Sequence, residues 1–253
     1  MTTERTSLVA ETGIPEPQGP AFFAPYRAGR LSDQVYEQLL VQIGSGGMQV
    51  GDRLPSEAQL SATLGISRPV IRMALARLRA DGIIDSRQGA GSFVRRQPSV
   101  DFVRSAPSGT IAELLRCFEM RVALEGEAAF LAATRRSAAD LEAMEMNAAG
   151  LAQAFAGDNL GADPDVGFHL AIAAATGNHL FLRTMEMLRQ PLRDGIATAR
   201  RLAQRAAAER LPIVVAEHAA ILAAIRAEDA DGARRAMREH IARSRDRMLG
   251  FTR

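Results

Sequence analysis

Apolar residues recur at about four-residue spacing in Leu31, Val35, Leu39 and Ile43, which predicts a helix with one buried face. Gly44-Ser45-Gly46-Gly47 ends it, and Gly51-Asp52-Arg53-Leu54-Pro55 makes a turn. Ser56 can cap a second helix through EAQLSATL. Gly65-Ile66-Ser67 is a tight turn, Ser67 can cap a third helix, and Pro69 is tolerated in its first turn. Val70, Ala74, Leu75 and Leu78 form the apolar stripe of that third helix, which Asp81-Gly82 stops. Two short strand-like pieces follow, Ile83 to Ser86 and Ser92 to Val94, around a glycine-rich tip. From Thr110 onward the pattern is helical throughout, alanine-rich and nearly free of β-branched runs.

These patterns divide the chain into four parts. Residues 1–29, with Pro15, Pro17, Pro20 and Pro25 and little periodicity, are expected to be a mobile arm. Residues 30–97 form a winged unit, 98–109 a linker containing Pro98 and Pro107, and 110–253 a bundle of six or seven antiparallel helices. The expected fold class is mostly α, a winged helix-turn-helix followed by an all-helical bundle.

Composition narrows the function classes. The chain is 47% hydrophobic and 24% charged, and no stretch approaches the ~20 apolar residues of a membrane helix. The N-terminus lacks the apolar core of a signal peptide, so a cytoplasmic location without membrane contact is expected. Cys117 is the single cysteine, which excludes internal disulfides and cysteine-rich zinc sites. A net charge of +2 does not itself indicate nucleic-acid binding. Residues 30–96 nevertheless hold nine Arg against six acidic residues, more than the net charge of the whole chain. There is no lysine, so every side-chain cation is a guanidinium, suited to the planar faces of phosphate, guanine and carboxylate.

A helix, a short turn, a helix and a two-stranded wing are the parts that seat a recognition helix in the major groove. Arg68 and Arg72 lie four apart near the start of the third helix, where base edges are read and Arg pairs with guanine. Arg87, in the wing, would lie near the backbone or minor groove. A solvated arginine-rich helix face is the bland alternative, and the turn, wing and glycine tip together favour DNA.

All four histidines lie in the second half. Asp163 can cap a helix with Pro164 in its first turn, which places Asp165 and His169 one turn apart on one face. His218 shares a stripe with Val214, Ile221, Leu222 and Ile225, and His240 with Met237, Ile241 and Met248. A core histidine is usually just a satisfied core residue. One Asp and three His on inward faces also make a sound set for zinc, nickel or another first-row divalent ion. Arg121 shares an apolar stripe with Leu114, Cys117, Phe118, Leu124 and Ala128. A guanidinium there needs an anionic partner, either Glu125 one turn on or the carboxylate of a ligand.

The segment LPSEAQLSATLGISRPVIRMALARLRADGIIDSRQGAGSFV resembles the winged helix-turn-helix of the GntR family. It departs at Met73, where the family usually has Glu, and at Ala58, where many members have an Arg that touches DNA. The resemblance implies DNA contacts from Ser67, Arg68 and Arg72, and from Arg87, Gln88 and Gly89 at the wing. Arg121-Val-Ala-Leu-Glu125, Asp165-Val-Gly-Phe-His169, Gly177-Asn178, Glu217-His218 and His240 resemble the FCD domain of the FadR-like branch, so that the likeness covers about 220 residues. It implies a divalent metal, zinc first, held by Asp165, His169, His218 and His240. It also implies a small carboxylate effector near Arg121 and Asn178, and a homodimer on a pseudo-palindromic double-stranded operator. The resulting expectation is a ligand-responsive transcription regulator, more readily a repressor than an activator. Two rivals are a regulator whose metal is structural or is itself the signal, and a metal-dependent enzyme. The second lacks a clear base, nucleophile or phosphate loop.

Overall fold

A computed structural model describes residues 25–100, 110–156, 162–189 and 204–251. The N-terminal unit opens with α1 (Pro25–Gly44), which starts five residues before the expected boundary. The first 24 residues of the expected arm and residues 101–109 of the expected linker lie outside the described residues. α1 buries Val35, Tyr36, Leu39, Leu40 and Ile43. α2 (Glu57–Leu64) starts at a capping box, in which Gln59 N–H donates to Ser56 Oγ and Ser56 N–H donates to Gln59 Oε1. Gly65 ends it at φ +65°, a left-handed conformation that glycine enters without a Cβ penalty. α3 (Arg68–Ala80) follows, with Ser67 at its N-cap but without a side-chain capping bond, and buries Val70, Ile71, Ala74, Leu75 and Leu78.

The wing is an antiparallel pair, β1 (Ile84–Arg87) and β2 (Gly91–Val94), registered Ile84 to Val94 and Arg87 to Gly91. The turn expected at residues 51–55 adds a third rung to this pair. Arg53 bridges Phe93, Leu54 N–H donates to Ser92 O at 2.8 Å, and Val94 N–H donates to Asp52 O at 2.9 Å. The strand signal was hidden because only one residue there forms a bridge and Gly51 and Pro55 flank it.

The C-terminal unit is a bundle of α4 (Thr110–Arg135), α5 (Ala138–Ala156), α6 (Ala162–Ala175), α7 (residues 179–189), α8 (Gln204–Arg226) and α9 (Ala230–Leu249). Ser137 and Asp140 form a reciprocal cap at the start of α5. α6 begins at Ala162, so Asp163 lies in its first turn rather than ahead of it. α4 is central and packs on α9, α6 and α8, while α5 packs on α6 and α8. Among the described residues no helix is long and apolar enough to cross a membrane.

The two units share one continuous apolar core. Asp33 of α1 accepts from both Arg77 of α3 and Arg116 of α4. Ala112 N–H of α4 donates to Glu37 Oε1 of α1 at 3.1 Å. A second tie joins the exit of the wing to the end of α9, where Ser99 N–H donates to Leu249 O at 2.9 Å and Arg96 faces Asp246 at 3.5 Å.

The turn before α3 depends on Gly65, where no neighbour lies within 4 Å of an added Cβ, so the backbone conformation alone decides the cost of a side chain. Gly65→Ala is expected to destabilise the protein by about 1–2 kcal/mol through the left-handed φ. Chemical denaturation measures this, and an unchanged midpoint would mean that the turn tolerates another conformation.

Candidate functional site

α6, α8 and α9 each bring one histidine to the middle of the bundle. His169, His218 and His240 are 2%, 1% and 2% exposed, and their ring centroids stand 4.7–5.4 Å apart. Ligating atoms from all three lie within 4.8 Å of one another. Asp165, one turn before His169, is buried beside them, with Oδ1 3.7 Å from His218 Nε2. Phe168 stacks on His218 at 4.4 Å and closes one side. Neither ring nitrogen of His218 has a hydrogen-bond partner among the described residues. His169 Nδ1 stands 2.5 Å from Glu125 Oε2 but outside hydrogen-bond geometry. Buried polar atoms are normally satisfied, so convergent unsatisfied imidazoles next to a carboxylate fit a divalent cation.

Close helix approach makes this convergence possible. A Cβ on Gly167 would meet Asn147 Oδ1 of α5 at 2.1 Å, so glycine between Asp165 and His169 lets α5 and α6 pack together. Glycine there carries a helix-propensity penalty of about 1 kcal/mol.

Charges around the cluster are balanced internally. Arg121 is buried and its Nε donates to Glu125, the intrachain partner; Nη2 stands 3.5 Å from Glu125 Oε2 and 3.4 Å from His169 Nε2. Glu217 accepts from both terminal nitrogens of Arg247 at 2.8 Å and faces His240 Nδ1 at 2.8 Å. Burial pushes the His218 imidazole down to about 3, and it also lowers that of His240. Burial alone would raise the two carboxyls. For Glu125 the charges of Arg121 and His169 outweigh it, and for Glu217 the hydrogen bonds from His240 and Arg247 do, so both are held at about 2. At neutral pH the site therefore presents neutral His218 and His240, the form that binds metal.

On the opposite unit, Ser67, Arg68, Arg72, Arg87, Gln88 and Gly89 are all exposed, the first three at the start of α3 and the others at the wing tip. Arg72 is held by Glu57 of α2 at 3.0 Å, and Arg87 lies over the Phe93 ring at 4.6 Å. Met73 is 48% exposed on α3, and Ala58 is exposed on α2.

Residues 31–94 match the bacterial regulatory proteins of the gntR family, and residues 116–243 match the FCD domain. The chain belongs to the GntR family. It is a DNA-binding transcription regulator of the FCD branch and not an enzyme. It is 32% identical to a protein of Escherichia coli (strain K12) provisionally named as an L-lactate dehydrogenase operon regulatory protein, with 84% of each chain covered. It is 31% identical to the HTH-type transcriptional repressor NanR of Klebsiella aerogenes, over 86% of this chain and 85% of that one. It is 27% identical to the HTH-type transcriptional regulator LutR of Bacillus subtilis (strain 168), over 83% of this chain and 97% of that one.

Within this GntR regulator the structure brings together Asp165, His169, His218, His240 and Arg121. Asn178 stands at the start of α7. Its Oδ1 accepts from Leu180 N–H and its own N–H donates to Thr176 Oγ1, so its hydrogen bonds stay within the turn. His179 is exposed. Sequence reasoning missed two residues beside the histidines, Glu217 as a partner of His240 and Arg247 as its counter-ion. A signal for Arg247 existed, since it follows His240 by seven positions on one face of α9.

The lowered His218 value sets a pH dependence. Between its ordinary value of 6.5 and about 3, the unfolded chain protonates residue 218 and the folded chain does not. Metal-free protein is therefore expected to lose stability as pH falls through 6.5, with Glu125 and Glu217 extending the loss from 4.5 down to about 2. Denaturation midpoints across this range read the effect, and a flat profile below 6.5 would count against a buried neutral His218.

Proposed function

We propose that this regulator is a ligand-responsive repressor whose C-terminal domain binds a divalent metal and a small carboxylate, and which reads a pseudo-palindromic operator as a homodimer. The observation that carries the reading is the buried trio of imidazoles, two of them with unsatisfied nitrogens, beside a buried guanidinium. Asp165, His169, His218 and His240 would hold the ion, zinc first among first-row metals because imidazole and carboxylate both suit it. A bound ion supplies a Lewis-acidic centre for an anion. Arg121 reaches the same space and would hold the anion by a charge-assisted, planar contact. Arg121 carries the reading, and Asn178, whose Oδ1 caps α7, would be a further contact for the anion. The name of the Escherichia coli relative, which refers to an L-lactate dehydrogenase operon, makes L-lactate a natural first probe. Repression is favoured by the name of the Klebsiella relative.

Ligand and DNA are linked through α4. It carries Arg121 and Glu125 in the site, and Ala112 and Arg116 against α1 and Asp33. Asp33 also holds Arg77 of α3. A change at Arg121 thus has a packed route to the recognition helix. Coupling of this kind is typically ~1–3 kcal/mol, a several-fold to hundred-fold change in DNA affinity.

A thermal-shift screen of metal-loaded protein against L-lactate and other small carboxylates tests the sensing. A ligand at about 100 times its Kd adds about 2.7 kcal/mol, and each ~1 kcal/mol moves Tm by ~2–4 °C in a chain of this size. Arg121→Ala alone would leave Glu125 buried without its cation, so the informative variant is Arg121→Gln with Glu125→Gln. The shift is expected to vanish in that variant. A shift that survives there, or none across the panel while chelation still unfolds the protein, would favour a structural or sensed metal instead.

The DNA face has its own test. Arg68→Ala or Arg72→Ala is expected to cost about 1–3 kcal/mol of operator affinity and to relax base preference at one position per half-site. Fluorescence anisotropy with operator and scrambled duplexes measures both. An equal loss on both duplexes would reduce these residues to phosphate contacts.

A further inference from the structure

We propose that Glu217 and Arg247 are a positioning pair that fixes the tautomer and orientation of the His240 imidazole, so that its Nε2 faces the metal position. The inference rests on the metal reading above and assigns a task to two residues outside the ligand set.

Geometry carries it. Glu217 Oε1 accepts from Arg247 Nη1 and Glu217 Oε2 accepts from Arg247 Nη2, both at 2.8 Å, so the carboxylate is held in a two-pronged grip. Arg247 is itself fixed, because Nη2 also donates to Ser244 Oγ at 2.7 Å. Arg243 Nη1 stands 3.8 Å from Glu217 Oε1 on the outer side. The same Glu217 Oε2 lies 2.8 Å from His240 Nδ1. A carboxylate gripped by a guanidinium is an acceptor only, so His240 Nδ1 must carry the hydrogen and Nε2 keeps its lone pair. A ligating imidazole needs that tautomer, and its orientation comes from the hydrogen bond at the other nitrogen.

Two comparisons within the site sharpen the assignment. Among the described residues His240 Nδ1 forms a hydrogen bond with a carboxylate, neither nitrogen of His218 does, and His169 Nδ1 stands 2.5 Å from Glu125 Oε2 outside hydrogen-bond geometry. His240 is therefore a ligand whose ring is held by the protein before any ion arrives. Stability gives a weaker reason for the pair. Glu217 and Arg247 are 8% and 9% exposed, and a buried ion pair of this kind commonly adds nothing over well-packed apolar residues of similar volume.

The test is zinc titration of the full-length protein against a competing chelator, with nitrogen-15 NMR of the histidines in the metal-free state. Glu217→Gln offers the ring an amide in place of the carboxylate. Glu217→Met with Arg247→Met removes both charges at once and leaves no orphaned ion to unfold the bundle. Both are expected to weaken zinc binding about 10–100-fold, the usual effect of losing an outer partner of a ligating histidine. The double variant is also expected to lose the Nδ1–H form of His240. Unchanged zinc affinity and an unchanged His240 tautomer in the folded variants, even with lowered melting temperatures, would overturn the proposal and leave the pair structural. Wild-type protein that takes up no zinc would instead overturn the metal reading, and this inference with it.

Discussion

Three imidazoles enclosed in the centre of a helical bundle must exchange water for something else, and this constraint organises the C-terminal unit. Burial drives His218 and His240 toward their neutral forms, which removes the largest electrostatic cost of placing them there. What remains is a set of unpaired nitrogens facing one another and Asp165. The two buried carboxylates outside that set, Glu125 and Glu217, are each neutralised by an arginine on a neighbouring turn or helix. The site therefore gathers three imidazoles and the Asp165 carboxylate at its centre, with arginine–carboxylate pairs around it.

Helix packing then ties that centre to the DNA-reading unit at two points. α4 runs from Arg121 to the Asp33 junction, where one carboxylate serves arginines from both α3 and α4. α9 runs from His240 to Asp246 and Leu249, which meet Arg96 and Ser99 at the exit of the wing. Because the apolar core is continuous across both units, neither helix can shift without repacking residues beneath α1 and α3. His240 and Arg121 thus sit on the two elements that also touch the winged unit.

Much of the architecture was legible because it depends on local rules. The capping box at Ser56, the left-handed turn at Gly65 and the wing around Gly89 follow from residue types at fixed offsets. Three limits show where those rules end. Gly51 and Pro55 masked the one-residue bridge at Arg53, since strand patterns need several alternating positions. Asn178 caps α7, a use that depends on where that helix starts. Gly167 lies against Asn147 of α5, twenty positions away, a neighbour that no local rule assigns to it.

By itself, the sequence determined the order of elements, the family, the exposed arginines of α3, and which helix faces carry Asp165, His169, His218 and His240, because periodicity assigns each residue to a face. It could not decide that faces from α6, α8 and α9 converge, that Arg121 is already engaged by Glu125, or that Glu217 links His240 to Arg247. Those facts depend on crossing angles and approach distances between helices far apart in the chain, which side-chain volume and close packing set only when the whole bundle assembles.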